Sequence, residues 1–162
     1  MATGRKTGSA LAGLLMTAAS HAYASCSEAA DPDDAGVVIL RCEGVVIAAE
    51  ATAVRSPVTL MSSHPHAIQL DAGAIAVSSN ASASRFTALT PDAVASALDG
   101  EWAVLAEAGG TRASSWRGSV SVRQRMDGTE RVFRAEAAES DALDPGRAER
   151  LRRALQRSLK RP

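Results

Sequence analysis

The sequence predicts an all-β fold, a small β-sandwich or β-roll of short strands, with a C-terminal amphipathic helix. Three observations carry this. From Val37 onward short apolar runs recur (VVIL, VVIA, VTLM, AIQL, AIAV), each bounded by turn formers or charges. In SVSVRQRMDGTERVFRAE, Asp127-Gly128 has the chemistry of a two-residue hairpin turn between alternating segments. From Pro145 onward Ala148, Leu151, Leu155 and Leu159 recur at three- and four-residue intervals among arginines, the period of a helix of about four turns.

Taken from the start, residues 1–24 read as an address. Arg5 and Lys6 make a basic start, Ala10 to Ala19 is a short run of small and apolar residues, and Ala22-Tyr23-Ala24 is a small-x-small cleavage pattern. The run is about half the ~20 residues a bilayer span needs, so a signal peptide cut after Ala24 is expected, with export to the periplasm. Cys26 and Cys42 are the only cysteines, and in an oxidising compartment they are expected to form a disulfide. Lipidation of Cys26, anchoring the protein to a membrane, is the alternative, although Tyr23 stands where lipoproteins usually carry an aliphatic residue.

Residues 25–36, with Asp31-Pro32-Asp33-Asp34, read as an acidic linker, residues 37–144 as the β-domain and 145–162 as the basic helix. The chain holds 34 Ala, and 16 Arg against 2 Lys, a bias that a GC-rich genome writes, so alanine is not taken as a helix signal. Past residue 24 only Phe86, Trp102, Trp116 and Phe133 supply rings, and the two tryptophans are expected in the core. Pairing outward from Asp127-Gly128 sets Arg125 opposite Glu130 and Val122 opposite Phe133. The zero net charge hides a split. Residues 145–162 carry seven bases and one acid, +6, while residues 25–144 carry nine bases and 17 acids, −8. Such a split favours either docking of the tail on the body or capture of an anionic surface such as phospholipid or lipopolysaccharide. Arg147, Arg150, Arg153 and Arg157 are the candidate partner-binding residues.

The stretch TPDAVASALDGEWAV, residues 90 to 104, is ambiguous on its own. Thr90 suits a helix cap, Pro91 the first helical position and Gly100 a C-terminal stop. Its surroundings carry a pattern that decides it. Ile68-Gln69-Leu70-Asp71-Ala72-Gly73-Ala74-Ile75-Ala76-Val77, Phe86-Thr87-Ala88-Leu89-Thr90-Pro91, Trp102-Ala103-Val104 and Trp116-Arg117-Gly118-Ser119-Val120-Ser121-Val122 follow one another in order. This set resembles the FecR domain, named after periplasmic regulators of iron-siderophore uptake. The resemblance covers about a third of the chain; Ala88 replaces the usual Val, and Asp99-Gly100 stands where the family has Gly-Thr. It implies that residues 90–104 are two strands and a turn. It also implies a non-catalytic binding or regulatory module that engages another envelope protein, for instance by strand addition. The family's full regulators join a cytoplasmic sigma-factor-binding segment and a transmembrane helix to this domain; neither is expected here.

Catalytic signatures are missing from the sequence: no G-x-S-x-G, P-loop, H-E-x-x-H or dinucleotide fingerprint occurs, and Ser114 and Ser115 read as a polar turn with no neighbouring His. No cofactor and no nucleic-acid partner are expected. His64 and His66 flank a proline and point the same way on an extended segment, so they are weak metal candidates. They support the alternative function, a small metal-handling or hydrolytic periplasmic protein.

Overall fold

The computed structural model describes residues 26–53, 67–80, 85–135 and 143–161. Ten strands and one helix follow in chain order: β1 (Ser27–Asp31), β2 (Asp34–Cys42), β3 (Val45–Glu50), β4 (Ala67–Gln69), β5 (Gly73–Ser79), β6 (Phe86–Leu89), β7 (Ala93–Ala97), β8 (Gly100–Glu107), β9 (Gly110–Gln124), β10 (Glu130–Arg134) and α1 (Pro145–Lys160). The strands hydrogen-bond in the order β1-β2-β3-β5-β8-β9-β7-β6-β4, and β10 also pairs with β9. All pairs are antiparallel except β4 with β6. The all-β body with a C-terminal helix is therefore the architecture, and residues 93–97 and 100–107 are strands.

One crease makes this sheet a two-layered object. β7 pairs with the C-terminal part of β9 (Ser96 with Ser121) and β8 with its N-terminal part (Gly100 with Gly118), so β7 and β8 run along the same edge of β9. At the fold Gly100 and Gly118 face each other with φ of 119° and 78°. A Cβ on Gly100 would lie 2.1 Å from the Arg117 carbonyl oxygen, so backbone approaches backbone where only glycine fits. A bulge between Glu101 and Trp102 leaves Trp116 unmatched in the register. Trp116 packs on the helix side of the sheet.

Side-chain alternation sends two sets of residues to two cores. Leu40, Ile47, Ile75, Val77, Trp102 and Val104 point into the concave side, where they meet Ile68, Phe86, Val120, Val122 and Phe133 from the other half of the curl. Val37, Ile39, Ala48, Ala74, Ala76, Ala103 and Leu105 point outward and are covered by α1 through Leu151, Ala154 and Leu155. Burial on both faces explains why β2, β3, β5 and β8 read as continuous apolar runs. Ala48, Ala74, Ala76 and Ala103 are methyl-sized, which leaves room for the helix to sit close. Trp102 is buried, as expected, and Trp116 is partly so.

Three expectations are corrected. Of the expected linker 25–36, the described residues 26–36 are not a linker: Ser27–Asp31 and the start of β2 form a hairpin turning at Pro32-Asp33, held because its aspartates have partners on α1. The β9–β10 connection is not a two-residue turn. Its loop runs from Arg125 to Thr129, and Phe133 pairs with Val120 instead of Val122. A type I′ turn needs positive φ at both central residues, and here only Gly128 has it (71°) while Asp127 accepts from the Thr129 N–H. The shift is by two residues, so the apolar face is preserved. Ser114 and Ser115 lie within β9, not in a turn. The signal-peptide residues, VTLM, His64 and His66 lie outside the described residues.

Candidate partner interface at the edge strand and helix

Helix α1 begins at Asp144, whose side chain accepts from the Arg147 N–H (3.0 Å), with Pro145 in the first turn. Leu151 and Leu155 are fully buried; Leu159, the fourth of the predicted stripe, is exposed, and Ala154 takes the contact instead. Removing water from two leucines contributes roughly 1.5–3 kcal/mol each, so the helix is held by its stripe before any charge is counted.

The arginines then find the body's acids one by one. Arg147 donates to Glu50 (Nε–Oε1 2.9 Å, Nη2–Oε2 2.7 Å) and also to Glu107. Glu50 is itself buried and accepts from the Ala74 N–H (3.0 Å), so its charge is met from both sides. Arg150 forks onto Asp34 (2.6 and 2.7 Å). Arg157 reaches Asp31 (2.5 Å) and Asp33 (3.2 Å), and Arg161 joins Asp33 (3.1 Å). Hydrogen bonding to Arg150 holds the Asp34 carboxyl down at about 2 against an opposing burial effect. Glu107 is likewise lowered, first by its hydrogen bond to Arg147. Hydrogen bonds to Glu50, Asp34 and Asp31 in turn raise Arg147, Arg150 and Arg157 respectively. Exposed pairs of this kind contribute about 0–1 kcal/mol apiece. The Asp31 side chain, only 2 % accessible, is different, because stripping its partner would strand a buried carboxylate.

The predicted partner-binding set is thus not a free basic patch. Arg147, Arg150 and Arg157 are spent on the body, whose acids lie within reach of one helix face. Arg153 is 64 % exposed and, among the described residues, reaches only Glu149 of its own helix, at 3.9 Å. Arg152 lies over the Trp116 ring, 5.5 Å from its centroid. The acidic run at Asp31, Asp33 and Asp34 was visible in the sequence, but Glu50 and Glu107 were not singled out. The spacing shows only the basic side: 147, 150, 157 and 161 recur at helical intervals.

Cys26 and Cys42 are bonded, as expected, with Cα atoms 4.3 Å apart. They continue the β1–β2 register, in which Ser27 faces Arg41, and so staple the open end of the hairpin. The bond occupies the sulfur that a lipid thioether would need. Among the described residues no group of three or more His, Cys, Asp or Glu side chains converges as a metal site, and no helix is long and apolar enough to cross a membrane.

What the docking leaves open is the edge. β1 ends the strand order, and Ser27 to Ala30 are exposed. Between its helix-side face and the C-terminal half of α1 lies a cavity of about 180 Å³, with Ala29, Ile39 and Ala154 among its walls. Arg41 Nη2 donates to the carbonyls of Ser158 (2.6 Å) and Arg161 (3.1 Å), closing the helix C-terminus with a cation where the helix dipole favours one. The Ser158 hydroxyl, in the cavity wall, is buried and has no hydrogen-bond partner.

No protein-family description matches the chain, and no curated protein matches it. Two crystal structures, each of a proposed anti-sigma factor from Parabacteroides distasonis, are similar to it. They share 17 % and 16 % identity, with TM-scores of 0.38 and 0.36, and each alignment covers 72 % of this chain and 54 % of the other. The chain therefore spans about half the length of those proteins.

Proposed function

We propose that this protein is a non-catalytic, FecR-like module of the cell envelope that binds another envelope protein, in a signalling role, through the open edge beside its C-terminal helix. One observation carries the reading: the basic helix is occupied by the body's own acids, while the β1 edge next to it is unpaired among the described residues. The sequence resemblance to the FecR domain supports the regulatory class. The signal-peptide pattern and the Cys26–Cys42 bond support export to an oxidising compartment.

A photo-crosslinking residue at Glu28, introduced in cells, tests the edge. A discrete adduct with one envelope protein from position 28, and none from Arg153 on the outer face of the helix, is the expected result. Adducts from the helix alone would move the interface and overturn the reading. Intact mass of the exported chain checks the address: it should begin at Ser25 and lie two hydrogens below the reduced mass.

A further inference from the structure

We infer that the cavity between β1 and α1 receives one aliphatic side chain of an extended peptide that adds to β1 as an antiparallel strand, and that this peptide carries an acidic residue two positions after the aliphatic one. The inference rests on the binding-module reading above and specifies what the partner presents.

The backbone argument comes first. In an antiparallel pair, alternate residues direct both N–H and C=O away from the neighbouring strand, so β1 offers such groups to a further strand. The side chains then follow a fixed alternation. Ser27, Ala29 and the helix-side residues of β2 share a face, because Ser27 pairs with Arg41 and Ala29 with Ile39, which packs against α1. An incoming residue opposite Ala29 therefore projects toward the helix, into the cavity, while its two neighbours project the other way.

Size and lining select the ligand class. The cavity, about 180 Å³, is smaller than the roughly 300–1,000 Å³ that houses a whole small-molecule ligand. It suits a single side chain. Ala29, Ile39 and Ala154 give the cavity an apolar wall, and Asp31, Arg41 and Arg161 set charged groups around it.

Charge sets the flank. A strand antiparallel to β1 runs from beside Asp31 toward Ser27, so the residue two positions after the aliphatic one lies opposite Ser27, with Arg41 one strand further in on the same face. Arg41 has no carboxylate partner among the described residues; one nitrogen serves the carbonyls of Ser158 and Arg161. An acidic side chain complements it.

The test is selection of a phage-displayed random heptapeptide library on the folded, disulfide-bonded chain, followed by fluorescence anisotropy with the synthetic peptide. Enrichment of an aliphatic-x-acid pattern is expected. Replacing the aliphatic residue by Gly should weaken binding at least tenfold. Ala29→Trp, which fills the cavity at an exposed position, should abolish it, and Arg41→Gln should remove the preference for the acid. No enrichment, or peptides that bind the Ala29→Trp chain within twofold of wild type, would overturn the inference. So would a concentration-dependent dimer that Ala29→Trp dissolves, because the edge then belongs to a second copy. The Gly-substituted peptide keeps the test valid even where a protein variant folds poorly. If Ala29→Trp still crosslinks an envelope protein through position 28, the pocket is refuted while the binding module stands.

Discussion

Asp34 shows how a charged residue can belong to the fold. Its carboxyl is held near 2, below the ordinary 3.8, chiefly by the Arg150 fork. A lowered carboxylate stabilises the folded chain above pH about 4 and loses that contribution as pH falls toward 2. Acid titration of the melting temperature should therefore show a loss below pH 4 that Asp34→Asn flattens, by about 1–2 kcal/mol after allowance for solvent screening. An unchanged acid limb in the variant would mean the fork is not made in solution. Thr90 teaches a different lesson about legibility. Its Oγ1 accepts from the Ala93 N–H (3.0 Å), which is what a helix cap does, and the sequence advertised it as one. Yet Ala93 starts a strand, because the same hydroxyl also meets Thr111 (2.6 Å) and Asp92 accepts from the Thr111 N–H (3.0 Å). Burial pushes the Asp92 carboxyl up, but the bonds from Thr111 and Thr90 outweigh it and leave it lowered. The partner that decided between helix and strand was 19 residues away, beyond the reach of local pattern.

Elements were legible in proportion to how local their cause is. The helix announced itself through Leu151 and Leu155, and the strands of sheet centre through their apolar runs. β1 did not, since SEAAD carries no strand signal and is ordered by the Cys26–Cys42 staple and by Arg157 on Asp31. Replacing both cysteines by serine should lower stability by about 3 kcal/mol, as loop-closure entropy for a separation of 16 residues predicts, measured by urea denaturation. Loss of protection at Ser27 to Asp31 should accompany it. The crease shows in the sequence only as two glycines with other readings, Gly100 as a helix stop and Gly118 inside a strand motif. Gly100→Ala places a methyl against the Arg117 carbonyl at a φ unfavourable to L residues, so a loss of roughly 3 kcal/mol or more is expected by the same measurement. Gly109→Ala, where an added methyl meets nothing within 4 Å, is the control and should change little.

For the molecule as a whole, the opposed charges of tail and body meet each other. That choice separates docking from membrane capture in one pair of measurements. Leu151→Glu with Leu155→Glu should unfold the protein or lower its melting temperature sharply, because each carboxylate would enter the packed seam under α1. Wild-type protein should sediment little with anionic liposomes even at low salt. Strong, salt-sensitive sedimentation together with an unperturbed melting temperature in the double variant would reverse the assignment. The charge split itself was plain in the sequence; which acid met which arginine was not, since that depends on how strands 40 to 128 residues apart from the helix arginines fall beneath it. The long ribbon of β7, β8 and β9 has a last consequence. Because β9 runs through both layers, pairing β8 on one side of the crease and β7 on the other, the two ladders share one backbone and are expected to open together. Amide hydrogen exchange should therefore find the amides of Val104 and Val122, on opposite sides of the crease, opening with a common free energy, as one cooperative unit. Separate exchange of the two would mean that the crease is a joint.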